Sequence, residues 1–518
     1  MKFLIVEYLC FNFKKTEKQI MKTHLKNHVS RRNFIKTTTL AAAGTTFLPL
    51  FNRCTLKPRL KTRDFGRLNH EVTTFGLGGQ ASIQWTPPDV DPVAIILKAF
   101  DKGVNYFDTS NLYGPSQSNY NKAFRTLELI PGNAGYNESL RRSFFLTSKT
   151  HLRFARGGWE AEGLNNWTNG QQGTHTIDDL KRSLSLLFGD GQGNYPRGAY
   201  LDMMLIHSVT NTVDVDAVYE GLDNTDSKAE HIGALAALRD YRDGTNLTGL
   251  NPKEEKLIRH IGFSGHYNAG VMMDMIRRDK ENILDGMLVA VNSNDKLNFN
   301  MQHNVIPVAA AKNMGIIGMK VFADGAMYAK GAHWSNQPSD VVSQVGSNEL
   351  PFRPLIQYTL TTPGISTAII GIGQISDDPA QCQLSQNIEA SQIGVNELTE
   401  GDRSDVETLT QHVKEGKTNY FQLDKGGLTA PADIKIQPYE ANKIRLTWNT
   451  AYAGSNPIGY YEVIRNGISI GKVEHQPQIC ELPFEMVDSP EITGKLEYKI
   501  VTADTKNNRV GSDVITLI

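Results

Sequence analysis

The chain reads as an α/β protein, a (β/α)8 TIM barrel followed by a small all-β sandwich, and three observations carry that reading. From about Asn69 to Ser391, strand-like and helix-like segments alternate, as in a parallel sheet wrapped by helices. Side chains suited to acid–base chemistry stand where successive apolar runs end, and a barrel of this kind gathers such groups at the C-terminal ends of its strands. After Gly426-Gly427 the sequence changes to short alternating strands, the signature of a separate all-β module.

Taken in order, the expected barrel strands are Thr73–Gly78, Asn105–Asp108, Phe144–Lys149 and Asp202–His207, then Arg259–Ser264, Met287–Asn292, Gly315–Val321 and Thr367–Ile372. Helical patterns lie between them, at Pro92–Gly103, Ile177–Phe188, Asn268–Arg278, Val305–Asn313 and Phe352–Leu360. Two connections are long. Leu152–Gly173 carries Trp159 and Trp167 among amides and glycines, and Ala323–Leu350 carries Tyr328, His333 and Trp334. Connections of this length in a compact domain serve a function or lack order. Their rings either pack the insertions onto the barrel or stack on the C–H faces of a sugar.

With 518 residues the chain exceeds one ordinary domain. Its net charge of −1 offers no electrostatic footprint for nucleic acid. The cysteines (Cys10, Cys54, Cys382 and Cys480) show no metal-ligand spacing and form no disulfide framework. The expected layout is a leader over 1–56, a barrel over 60–425 and a β-sandwich over 429–518. In the leader, Ser30-Arg31-Arg32-Asn33-Phe34-Ile35-Lys36 and the apolar run Thr37–Phe51 match a twin-arginine signal. They predict the twin-arginine export machinery as a partner and a periplasmic location. The run is too short for a permanent transmembrane helix. Cys54 is an alternative lipid-attachment point, although Phe51-Asn52-Arg53 before it lacks small residues.

The chemistry is concentrated in four residues. Tyr106-Phe107-Asp108-Thr109 is followed by Tyr113, then come Thr147-Ser148-Lys149 and Leu205-Ile206-His207. A tyrosine is a poor acid at its ordinary pKa of about 10. A lysine beside it is expected to favour the phenolate, with a carboxylate holding that lysine charged. The set can then donate a proton to a carbonyl oxygen that the histidine orients. Read singly, strand-end Asp and His residues often cap loops and lysine is usually solvated.

This arrangement resembles the aldo-keto reductase family, whose Asp, Tyr, Lys and His tetrad maps onto Asp108, Tyr113, Lys149 and His207. The resemblance begins at Arg63-Asp64-Phe65-Gly66, includes Phe75-Gly76-Leu77-Gly78-Gly79 and Ile261-Gly262-Phe263-Ser264-Gly265, and reaches about Asn387. It implies hydride transfer with NAD(P)(H), without a Gly-x-Gly-x-x-Gly fingerprint. It further implies that Ser264 and Asn292 hold the nicotinamide amide. Lys320 then either lends charge near the pyrophosphate or is a solvated strand-end lysine, and Asn387 touches adenine. Where NADP-preferring relatives carry Lys, Ser and Arg, this chain has Asp377, Asp378 and Gln383. Carboxylates repel a 2′-phosphate, whereas Asp378 can accept a ribose hydroxyl, so NAD(H) is weakly favoured. Alternatively these acids open a helix.

From Ala430 onward the expected strands are Ile434–Gln437, Lys443–Trp448, Tyr460–Arg465, Ile468–Val473, Glu497–Ala503 and Asp513–Leu517, with Asn466-Gly467 as a hairpin turn. The segment resembles a fibronectin type III module of the immunoglobulin-like class, with Trp448 in an early core strand and Tyr498 as a corner tyrosine. Two functions follow. One is an exported oxidoreductase interconverting a carbonyl and an alcohol, on a sugar or polyol. The other is a non-catalytic barrel that binds a glycan or a cell-surface partner.

Overall fold

The computed structural model describes residues 59–518, apart from 425, 441, 492, 493 and 518. The twin-arginine motif and Cys54 lie outside the described residues. Eight parallel strands close into a barrel. They are β1 (Phe75–Leu77), β2 (Tyr106–Asp108), β3 (Phe145–Thr150), β4 (Leu201–Ile206), β5 (Ile258–Gly265), β6 (Leu284–Ala290), β7 (Gly315–Met319) and β8 (Thr367–Ile370). Each pairs with the next in sequence, and β8 returns to β1 through Ile369↔Gly76. All eight expected strands form, within a few residues of their anticipated ends.

The helices between them are set by local signals. Asp91 accepts a hydrogen bond from Val93 N at 2.8 Å and caps Pro92–Asp101, whose Ile95, Ile96 and Ala99 are buried. Thr176–Phe188 begins at a reciprocal cap between His175 and Asp178. A hairpin of Thr62–Asp64 and Glu71–Thr73 closes the N-terminal end of the barrel. Its Phe65 packs edge-on against Tyr106 and Phe145, at 5.6 and 5.0 Å between centroids. Gly66 has φ +57°, and a Cβ there would overlap the backbone of Met314 and Gly315.

The long connection after β3 has structure of its own. Phe154–Arg156 pairs with Ile232–Gly233 as a small antiparallel ribbon. Helices Thr212–Tyr219 and Glu400–Gln411 also form, which the hydrophobic pattern had not signalled. The first buries only one side of two turns, too little to register as a period.

Beyond Leu428 the chain forms two antiparallel sheets. One holds Ala432–Glu440, Lys443–Asn449 and Phe484–Asp488. The other holds Ile458–Arg465, Ile468–Glu474, Leu496–Asp504, Arg509–Gly511 and Ile515–Leu517. Both contribute to one apolar cluster, with Trp448 from the first and Tyr461, Val463 and Ile500 from the second. Phe484–Asp488 and Arg509–Gly511 were absent from the sequence expectation, because neither alternates cleanly. Tyr498 donates to Asp488 Oδ2 at 2.6 Å. No helix among the described residues is long and apolar enough to cross a membrane.

Candidate active site

The ends of β2, β3 and β4 lie side by side, with Asp108 in register with Thr147 and Lys149 with Leu205. Lys149 Nζ donates to Asp108 Oδ1 at 2.6 Å and to Thr109 O at 2.9 Å. Both side chains are buried. Burial raises the Asp108 carboxyl and lowers the Lys149 ammonium, and each partner opposes the other's shift. Asp108 Oδ2 has no protein partner.

Tyr113 follows a turn in which its N–H donates to Ser110 O at 3.1 Å. Its ring lies under the lysine, with Lys149 Nζ 4.6 Å from the centroid. Burial raises the phenol well above its ordinary value, and the carboxylates Asp108 and Asp324 add to the shift. The ammonium meets the ring face and is bonded to Asp108.

His207 directly follows β4 and faces Tyr113 edge-on, 5.9 Å between centroids. Its own N–H donates to Thr150 O at 2.7 Å. Arg153 donates to His207 O at 2.8 Å and to Ser208 O at 2.9 Å. These bonds hold Ser208 at φ +53°, a conformation strained for a non-glycine residue. Burial, then the charge of Lys149, keeps His207 well below its usual pKa. It is therefore neutral, with Nδ1 unpartnered. His151 stands 5.3 Å away and burial lowers it to about 3. His266, invisible to sequence reasoning, is likewise kept neutral by burial and lines the same face.

A cleft of about 1080 Å³, counted to its open mouth, runs from Asp108 and Tyr113 past Lys320 to Gln383 and Asn387. Asn387 Nδ2 is buried there without a partner, as a residue awaiting a ligand acceptor would be. Lys320 is an interior residue, not a solvated one. Its ammonium lies 4.3 Å from the Trp334 ring and 3.8 Å from Asp324 Oδ1. The structure does not bring the other expected cofactor residues to this lining. Ser264 is buried, and its Oγ accepts from Ser208 N at 2.9 Å. Asn292 is also buried, and its amide donates to Lys320 O and Asn419 Oδ1 while accepting from Asn294 N and Asn419 Nδ2. That fills its hydrogen-bonding capacity within the protein. Asp378 is exposed, and its carboxylate accepts from Ala380 N at 3.0 Å, closing a turn outside the lining.

At the Asn387 end, residues 341–346 cross the cleft as a strap. Gln383 Nε2 donates to Val342 O at 3.2 Å and Gln344 O at 3.1 Å, while Gln383 Oε1 accepts from Gly373 N at 2.5 Å. A Cβ at Gly373 would overlap Val342 O, so glycine permits this approach. The unpartnered Asn387 amide offers a donor to a ligand bound in the cleft.

A parallel barrel with an Asp–Lys pair, a protonated tyrosine and a neutral histidine at its C-terminal face defines a class of proton-donating carbonyl enzymes. The model of the Aldo/keto reductase family matches residues 74–363, and the chain belongs to that family. Its members are oxidoreductases that act on small carbonyl compounds and generally use a nicotinamide cofactor. Among solved structures, the chain is 20% identical to one from Pseudomonas aeruginosa assigned to the aldo-keto reductases, covering 64% of this chain and 95% of that one with a TM-score of 0.36. It is 18% identical to an aldo-keto reductase from Bacillus halodurans in its holo form, covering 68% and 96% with a TM-score of 0.40.

Proposed function

We propose that the protein is an exported oxidoreductase that interconverts a carbonyl and an alcohol on a sugar or polyol, with NAD(P)(H) bound in the cleft. The observation that carries this reading is Tyr113 set between the Asp108–Lys149 pair and His207. When bound, the nicotinamide supplies or accepts a hydride at the carbonyl carbon. His207, uncharged, donates a hydrogen bond to the carbonyl oxygen and fixes its direction. Tyr113 Oη gives that oxygen its proton in reduction and takes it back in oxidation. Lys149, held by Asp108, steadies the transient phenolate, and general acid catalysis of this kind contributes about 10²–10⁴-fold.

Several features support the finer reading. Trp167 and Trp334 are 61% and 49% exposed near neutral His151 and His266, a mixture of stacking and hydrogen-bonding groups that suits hydroxylated rings. The Arg31-Arg32 motif supports twin-arginine export to the periplasm, with Cys54 as an alternative lipid anchor. The Gln383 amide bound to the strap, where NADP-preferring relatives carry arginine, supports a weak preference for NAD(H). The C-terminal sheets are read as a fibronectin type III-like, immunoglobulin-like sandwich on Trp448 and Tyr498. Lys320 and Asn387 are assigned to the cofactor.

The saturated Asn292 amide favours a second reading, a barrel that binds a glycan or cell-surface partner without turnover. Incubating the full chain with NADH or NADPH and a panel of aldoses separates the two. Oxidation of either nucleotide supports the enzyme, and glycan binding without nucleotide binding selects the alternative.

A further inference from the structure

The barrel does not end where the family match does. Residues 418–423 turn back into its C-terminal face, and the two-sheet module follows immediately. Asn419 pairs with Asn292 at the end of β6, and Gln422 Nε2 donates to Asp295 Oδ1 at 2.6 Å. Tyr420 Oη donates to Asp324 Oδ2 at 3.0 Å. The Tyr420 and Phe421 rings hold the Trp334 indole, at 5.4 and 6.3 Å between centroids. His266, which lines the cleft beside Tyr113, meets Trp334 edge-on at 5.4 Å and Phe421 at 6.5 Å. A half-exposed indole is thereby held against His266, Lys320 and the tail.

The tail in turn is held by the segment after β6 and by the module. Leu423 N donates to Tyr267 O, and Phe299 N donates to Leu423 O, both at 2.8 Å. The other side of Phe299 belongs to the module, whose Tyr452 ring packs edge-on against it at 4.7 Å. Beside it Asn304 and Ala453 exchange hydrogen bonds of 2.8 and 3.2 Å, and Asn300 Nδ2 donates to Gly454 O at 3.0 Å. These amides are buried like those of a domain interior. Partners of that kind are costly to separate, because each buried amide would be left unpaired.

Resting on the enzymatic reading above, we propose that the C-terminal module is a working part of the active site. By clamping residues 299–304 and 418–423 it fixes His266, with Trp334 packed behind it, as the wall against which the carbonyl substrate is set. Tyr452 and Phe421 are positioning residues in this scheme, since neither touches the cleft. At the other end of the cleft Gln383 is held by Val342, Gln344 and Gly373 rather than by the clamped segments.

The test uses full-length Tyr452→Ala and Tyr452→Phe, with glyceraldehyde and xylose as probe substrates. Tyr452→Ala should raise KM for xylose about tenfold with kcat reduced much less. Its nucleotide Kd should stay within about twofold, and Tyr452→Phe should restore KM. Hydrogen exchange gives a readout that needs no turnover: Tyr452→Ala should speed exchange over 331–336 and 418–423 and leave 341–346 unchanged. Unchanged KM and exchange would overturn the proposal. So would a parallel rise in KM, nucleotide Kd and exchange at the strap, since that signals general loosening. The predicted exchange pattern in a protein that turns over no carbonyl would keep the clamp and reject the enzymatic reading.

Discussion

Asn292 and Asn419, 127 residues apart in sequence, exchange amide hydrogen bonds of 3.0 Å in both directions inside the barrel mouth. The pair joins the end of β6 to the tail that leads into the C-terminal module. It also occupies the amide that sequence resemblance assigns to the nicotinamide.

Replacing Asn292 by alanine leaves the buried Asn419 amide short of partners and should destabilise the protein by about 1–3 kcal/mol. Nucleotide affinity should change by less than about threefold. Chemical denaturation and calorimetric titration read the two effects, and a large loss of affinity with intact stability would return Asn292 to the cofactor.

Tyr113→Phe should lower kcat by about 10²–10⁴-fold and leave nucleotide Kd unchanged, because the hydroxyl acts on substrate. Near-normal turnover by the purified variant would remove Tyr113 from the proton-transfer role.

Lys149→Met should be harsher. It strands Asp108 as an unpaired buried carboxylate, for which the typical cost is about 3–5 kcal/mol. Lys149→Met with Asp108→Leu should recover much of that stability while remaining inactive. If the double variant is no more stable than the single one, the pair does not behave as a coupled buried ion pair.

Acid should destabilise the fold before its ordinary carboxylates titrate. Burial lowers His151 to about 3 and His303 and His475 to about 4. The unfolded chain binds protons at these sites below about pH 6.5, and the folded chain does not until near pH 4. Their contribution is complete above pH 6.5 and is lost as pH falls through that window. Denaturation midpoints measured from pH 7 to pH 4 should decline, and His475→Gln should flatten the decline. Midpoints independent of pH across this range would contradict the assigned neutral histidines.

Cofactor preference should respond weakly to the acids after β8. Asp377 is fully exposed, with only Lys98 at 4.0 Å, and Asp378 closes a turn. Asp377→Lys with Asp378→Ser should therefore shift the NAD(H)/NADP(H) ratio by less than about threefold, the scale of screened surface charge. A shift of tenfold or more would place the ribose beside these residues after all.

The eight barrel strands, five of the helices between them and the line of Asp108, Tyr113, Lys149 and His207 were legible in the sequence. Each is a local signal: an apolar run, a cap, or a residue type at a strand end. A parallel barrel converts position at a strand end into position in space, so motif order alone predicted the cluster. Tertiary structure decided whatever depends on which distant groups meet. It set the Lys149 ammonium on the Tyr113 ring face and on Asp108. It set Lys320 against Trp334, joined Asn292 to Asn419, and left Asp378 in solvent. His266, Gln383 and the tail at 418–423 carried no local signal, since their roles come from partners far away in the chain. Hydrophobic periodicity reports which face of an element is buried; the hydrogen-bond partners and charges waiting there are set only when the chain closes on itself.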